Sequence, residues 1–201
     1  MRSPCPVGAR ALPPINNGRQ GMISESFKGC VAPLESEGFG AWYEDKSEGA
    51  PVSSLFAVLH VDESNQQYVL QALDARELTV AAYPETNSIP LPLLQLAMVF
   101  PFSVETVCFT DTARILHRLN CILPVGSFVL SEDDKTVCFR AIFPVAESGF
   151  APEFMVATLQ IIRHFCVECG GLIEAIALSQ MTYAEANDRI KDGTVTETMQ
   201  V

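Results

Sequence analysis

The chain has 201 residues, the length of one domain, and carries 24 acidic and 13 basic side chains for a formal net charge of −11. Hydrophobic residues make up 48% of it and charged residues 18%, which supplies a core and excludes disorder as the overall state. The acidic balance argues against a surface for nucleic acid or anionic membrane, because both need a positive field. We expect neither as a partner.

The N-terminal segment differs in composition from the rest. Residues 1–21 hold three arginines, four prolines and no acidic residue, and no apolar run of signal-peptide length follows them. We predict a disordered leader or tag there, one domain over 22–186 and a flexible tail over 187–201. The longest apolar stretch, 89–102, contains three prolines and is too short to cross a bilayer. A soluble cytoplasmic protein is therefore expected.

The first half of the domain reads as one helix and three strands. Helical spacing of apolar residues predicts a helix over 23–38. Two short apolar runs, 55–61 and 67–73, are separated by a polar turn and predict a β-hairpin. A connection over 74–92, with three prolines, then leads to a third strand over 93–102.

The second half returns to helical spacing and ends on a long helix. A helix is predicted over 111–120, with Asn120 suited to a left-handed stop. Apolar runs at 125–130 and 136–143 flank an acidic turn and predict a second hairpin. Apolar residues then recur every three or four positions over 152–176, which predicts the last helix.

The predicted order is α-β-β-β-α-β-β-α. Most connections between strands are short and no βαβ alternation runs through the chain, so we predict an α+β domain with a five-stranded antiparallel sheet. Leu159 and Ile162 lie on the periodic face of the last helix and are predicted to be central in the core. Gly170 and Gly171 are expected to weaken or kink that helix.

The predicted strands are apolar on both faces. A sheet covered on one side alternates apolar with polar residues, whereas both parities of 93–102 are mostly apolar. A single layer of helices covers one face unless the first helix wraps behind the sheet. We therefore predict a homodimer or a bound protein partner on the face away from the helices. The candidate partner-binding residues are Val129, Cys138, Arg140 and Ile142.

Arg140 is the one charge inside an otherwise apolar predicted strand. Two roles are open for it: pairing with a carboxylate or a helix C-terminus inside the fold, or contact with a partner.

No catalytic, cofactor-binding or metal-binding residue is predicted, and no cofactor. The chain has seven cysteines, and in a reducing compartment most of them read as small buried hydrophobes: Cys108, Cys121, Cys138, Cys166 and Cys169. A zinc site requires four ligands, but Cys166 and Cys169 form the sole CxxC. A redox CxxC normally starts a helix, whereas these two lie in mid-helix.

The other reactive side chains form no motif either. The histidines His60, His117 and His164 lie in separate predicted elements, and no serine or cysteine sits in a nucleophile motif. The acidic turn 132–134 lacks calcium-loop spacing and is better interpreted as solvated.

Five segments occur in a characteristic order: VFPF at 99–102, a helix ending in RLN at 118–120, LPVGSFVL at 123–130, VCFRAIFPV at 137–145, and a long apolar helix starting at APEF. Together they resemble the YbjN-domain family of bacterial sensory transduction regulators. The resemblance implies the type III secretion chaperone-like fold. It also implies a small, acidic, dimeric bacterial protein that holds a partner chain.

The leading hypothesis is thus a non-enzymatic protein-binding module, chaperone-like or regulatory. The alternative is a small cysteine-dependent metal or redox protein.

Overall fold

The computed structural model describes residues 21–47, 50, 52–63, 65–76 and 92–192. Six strands in these residues form one antiparallel sheet: β1 (Gly40–Glu44), β2 (Ser54–Val61), β3 (Gln67–Asp74), β4 (Leu93–Ser103), β5 (Ser127–Ser131) and β6 (Thr136–Pro144). The helices are α1 (Gly21–Ser36), α2 (Phe109–Asn120), α3 (Pro152–Ala177) and α4 (Tyr183–Lys191). A short 3₁₀ turn, Thr106–Cys108, precedes α2.

The sheet has the strand order β1-β2-β3-β4-β6-β5. The predicted α+β class and antiparallel sheet are confirmed. The predicted count of five strands is wrong because β1 was missed. This edge strand is five residues long, and only alternate residues of it lean toward the core. So short an edge strand carries little apolar signal. The chaperone-like assignment of the fold stays a prediction.

The helices lie on one face of the sheet. The buried cluster on that side contains residues of all four helices together with the inward side chains of the strands. Leu159 and Ile162 of α3 are fully buried in it, so their predicted place in the core is confirmed. Phe27 and Leu34 of α1 are buried in the same cluster. The first helix therefore packs on the inner side and does not wrap behind the sheet.

Helix α3 runs through Gly170 and Gly171 without a break. The helix is therefore not interrupted at the two glycines, and the predicted weakening of its stability stays a prediction. A Cβ at position 170 would lie 3.3 Å from Cε1 of Phe100. The missing side chain thus allows close contact between α3 and β4.

By length and composition, α3 is also a candidate membrane span among the described residues, with a mean hydropathy of 1.3 over 18 residues. Half of that window is buried inside the fold. The apolar residues that give the helix this hydropathy are thus largely those that cover the sheet.

Helix α4 lies partly in the segment predicted as a tail from 187 onward. Thr182 and Glu185 form a capping box at its start, in which each side chain accepts from the other's backbone N–H. Ile190, in the last turn, is buried in the core. The T-x-x-E spacing at 182–185 was the available signal for this helix. Residues 193–201, like 1–20 and most of the 74–92 connection, lie outside the described residues.

Asn120 has a different role from the predicted left-handed stop, since it has no positive φ. Its side chain accepts a hydrogen bond from Phe128 N at 2.8 Å and donates one to Phe128 O at 2.9 Å. Asn120 therefore acts as a neighbouring strand would, because it satisfies both backbone groups of an edge-strand residue.

We expect Asn120→Ala to lower the free energy of unfolding by about 1–3 kcal/mol, because the Phe128 N–H and C=O lose their partners. Chemical denaturation measures this. Asn187→Ala on α4 is the matched control, since the Asn187 side chain makes no hydrogen bond to another described residue, and it should change stability by less than about 0.5 kcal/mol. Equal effects of the two substitutions would contradict the role given to Asn120.

Candidate functional site: the outer face of the sheet

The side of the sheet away from the helices is called the outer face here. Its residues alternate along the strands with the buried inward residues. The outer face is defined by Gly40, Trp42, Glu44, Phe56, Val58, Val69, Gln71, Gln95, Ala97, Val99, Ser127, Val129, Cys138, Arg140 and Ile142. Within the described part of the chain, no helix covers it.

Several large hydrophobic side chains on the outer face are exposed. Val99 is 58% exposed, and Ile142, Val129 and Trp42 are 45%, 41% and 39% exposed. Four of the nine exposed large hydrophobic residues in the described chain thus share one face. Clustering of this kind is typical of an interaction site, whereas isolated surface hydrophobic residues are ordinary.

Strand register arranges the outer face in rows that run across the strands. One row consists of Trp42, Phe56, Gln71, Ala97, Arg140 and Ser127. The adjacent row contains Gly40, Val58 and Val69 on the β1–β3 side and Val99, Cys138 and Val129 on the β4–β5 side. The second row is apolar from edge to edge. The corner of the sheet at Ser54 and Leu73 is buried.

The β1–β2 end of the first row is aromatic. The rings of Trp42 and Phe56 are stacked, with centroids 5.1 Å apart and planes 12° from parallel. The Trp42 indole Nε1 donates a hydrogen bond to Glu44 Oε1 at 3.1 Å. This bond and the stacking hold the rings in one orientation, so the outer face presents a fixed aromatic surface at this end.

The β6 end of the same row carries a positive charge. Arg140 is exposed, and its Nη2 donates a hydrogen bond to Gln95 Oε1 at 2.9 Å. Its partner inside the described fold is thus an amide, and the predicted carboxylate or helix C-terminus is not that partner. The bond to Gln95 orients the guanidinium and leaves its charge unpaired.

The four predicted partner-binding residues occupy one half of the outer face. Val129 and Cys138 are direct partners across β5 and β6. Arg140 and Ile142 follow Cys138 on the same side of β6. Whether they bind a partner stays a prediction.

The other half, on β1 to β3, was missed. Its main members are Trp42, Phe56, Val58 and Val69. The alternation in GAWYE at 40–44 was the signal for Trp42. In 55–61 every residue except His60 is apolar, so the run did not indicate which side chains point outward.

Cys138 behaves as a small apolar residue of the outer face. Burial raises the pKa of its thiol above the usual value, and the positive charge of Arg140 offsets this in part. The thiol is therefore protonated near neutral pH and packs between Val99 and Val129.

The described structure gives little support to the cysteine alternative. Cys166 and Cys169 are buried in the middle of α3. Burial raises the pKa of both thiols, that of Cys169 to about 12, which disfavours the thiolate needed for metal binding or redox chemistry. No group of three or more potential metal ligands occurs among the described residues. Cys121 was predicted to be buried and is exposed.

A concavity of about 560 Å³ lies between α2, β5 and α4. The guanidinium carbon of Arg114 lies 3.6 Å from the centroid of the Tyr183 ring there, and its Nη1 is 3.2 Å from Asp111 Oδ1. The positive charge of Arg114 is thus already paired with groups of the same chain. His117 lines the same concavity, far along the chain from the other two histidines on β2 and α3.

Comparisons of the chain with protein-family models, with curated proteins and with solved structures found no match. The resemblance to the YbjN-domain family therefore stays a hypothesis based on the sequence. The outer face is a candidate site on its geometry alone.

Proposed function

We propose that this protein is a non-enzymatic protein-binding module, chaperone-like or regulatory, that binds another polypeptide on its outer face. The observation that carries the proposal is the two-sided apolar character of the sheet. The inner side is buried under four helices, while the outer face leaves Val99, Ile142, Val129 and Trp42 exposed. Contact with a polypeptide would remove these side chains from water, and each should contribute about 1 kcal/mol.

The polar groups at the centre of the outer face suit binding better than catalysis. Gln71 and Gln95 carry neutral amides, and Arg140 carries a guanidinium with several hydrogen-bond donors. Such groups orient a bound chain through hydrogen bonds. Amides and guanidinium groups are not among the side chains that commonly serve as general acids or bases.

The test compares two valines that differ in their position. Val99→Glu places a charge at the centre of the outer face, whereas Val107→Glu places one on the 3₁₀ turn, where the side chain is already 84% exposed. We expect wild-type protein at micromolar concentration either to have a molar mass above that of the monomer or to bind a hydrophobic fluorescent dye.

Val99→Glu should abolish whichever of these is observed, and Val107→Glu should leave it unchanged, with thermal melts showing that both variants are folded. A monomeric wild-type protein that does not bind the dye would contradict the proposal. The same holds if the two substitutions have equal effects.

A further inference from the structure

The two ends of the outer face are chemically complementary. The β1–β2 end presents the stacked rings of Trp42 and Phe56, and the β6 end presents the guanidinium of Arg140. A guanidinium over an aromatic ring face is attracted by the ring quadrupole, most strongly when water is excluded. Within one chain the two groups cannot meet, because β3 and β4 lie between their strands.

The strand order makes this complementarity symmetric. In the order β1-β2-β3-β4-β6-β5, the midpoint lies between β3 and β4, and β2 and β6 are equidistant from it. Phe56 and Arg140 also lie in the same row, joined through Gln71 and Ala97. A twofold axis parallel to the strands through this midpoint would therefore place each Arg140 over the other copy's Phe56, twice in one interface.

The same twofold rotation also brings complementary side chains of the adjacent row together. It places Val129, a protruding side chain, opposite Gly40 of the other copy, which has none. It also places the small Cys138 opposite Val58. Packed sheets interdigitate in this way, at a spacing of about 10 Å with their strands within about 30° of each other.

Charge also favours contact between copies at the outer face. The chain carries a net charge of −11, so most of its surface repels a second copy. Neither of the two rows contains an aspartate or a glutamate. The carboxylate of the outer face nearest to these rows is that of Glu44, which accepts a hydrogen bond from Trp42. In a pair of copies it would lie near the Arg140 guanidinium of the other copy, so this contact is also attractive.

The area is sufficient for a specific dimer. Six strands spaced about 4.8 Å apart give a width of about 29 Å, and outward residues over about six positions of each strand give about 20 Å. Each copy thus contributes up to roughly 600 Å². Without the buried corner at Ser54 and Leu73 the total is about 1,000–1,200 Å², at the lower limit of specific interfaces.

We propose that the polypeptide bound by the outer face is a second copy of this chain. The copies pack face to face about a twofold axis parallel to the strands, with each Arg140 on the aromatic pair Trp42 and Phe56 of the other. This inference rests on the proposed function, since it identifies the partner of the same surface.

The test measures the molar mass of the full chain by light scattering and the dissociation constant by sedimentation equilibrium. The expected mass is twice 21.9 kDa. Arg140→Met keeps an apolar stem and removes the charge. It should raise the dissociation constant about 30-fold, because two cation–π contacts of about 1 kcal/mol each are lost per dimer. Arg140→Lys should have a smaller effect.

Arg163→Met is the matched control. Arg163 also lies over an aromatic ring, that of Phe39 at 5.6 Å, but on α3 and away from the outer face. It should leave the dissociation constant within about threefold of wild type. Val99→Glu should give a folded monomer, while Val107→Glu stays dimeric.

The outcomes separate this inference from the proposed function. A wild-type monomer that binds a hydrophobic dye would overturn the dimer and leave the outer face as a site for a different polypeptide. A wild-type monomer that does not bind the dye would overturn both, since another segment of the chain would then cover the face. A dimer unaffected by Arg140→Met and Val99→Glu would use another surface and would also overturn the inference.

Discussion

Replacing Leu159 with alanine should lower the free energy of unfolding by about 2–5 kcal/mol, a large share of the total for a domain of this size. Leu159 is fully buried in α3, where the long helix crosses the sheet. The substitution removes apolar contacts and leaves a cavity that the rigid sheet cannot close. Ile162→Ala, one turn further along the same face, should have a comparable cost.

Ile161→Ala is the control for both substitutions, because Ile161 is on the same helix but 43% exposed. It should cost less than about 1 kcal/mol, since few contacts are lost. Denaturant titration followed by circular dichroism measures all three variants. A cost below about 1 kcal/mol for both Leu159→Ala and Ile162→Ala would place that helix face outside the core.

Gly126→Ala is the second substitution with a large expected effect. Gly126 has a φ of +72°, and an added Cβ would lie 2.4 Å from Cζ of Phe139 and 2.9 Å from the carbonyl oxygen of Arg140. The left-handed backbone costs about 1–2 kcal/mol for alanine, and displacement of the buried Phe139 ring costs about 1–3 kcal/mol more. We therefore expect a total loss of about 2–5 kcal/mol.

Gly171→Ala separates this local effect from any general response to replacing a glycine. Position 171 is inside α3, and an added Cβ there would have no neighbour within 4 Å. Alanine should stabilise the helix by about 0.5–1 kcal/mol. Thermal unfolding of the two variants should thus shift in opposite directions. A Gly126→Ala variant as stable as wild type would show that the turn before β5 can relax.

Gly126→Ala should also affect the outer face. The added methyl group pushes on Phe139, which faces the core, and on the backbone of Arg140, which faces outward. A shift of β6 would move Arg140 away from its bond to Gln95. In a folded Gly126→Ala protein, self-association should therefore weaken along with stability, whereas Gly171→Ala should leave it unchanged.

Local patterns in the sequence were sufficient for the elements that carry their own periodicity. The helical spacing over 152–176 predicted α3 and its buried residues Leu159 and Ile162. The runs at 125–130 and 136–143 around an acidic turn predicted the hairpin of β5 and β6. The apolar face of α3 extends over many turns, and β5 and β6 are neighbours in the sequence. Both elements can therefore be predicted from the pattern of nearby residues.

The elements at the edge of the fold needed more than periodicity. Strand β1 has five residues and depends on its pairing with β2, so its sequence shows only a short alternation. The start of helix α4 could have been predicted from the capping box of Thr182 and Glu185. The role of Asn120 depends on the approach of Phe128 eight residues away, a contact that a helix-stop interpretation does not include.

The same division applies to the outer face. The order of residues in the sequence was sufficient to predict a sheet with two apolar sides, because both the odd and the even positions over 93–102 are mostly apolar. The tertiary structure decided which side stays open, since α1 packs beside α3 on the inner side. It also decided that Phe56 and Arg140 share a row on either side of the sheet's midpoint. That relation depends on strand order and register, which arise from contacts between residues distant in the chain.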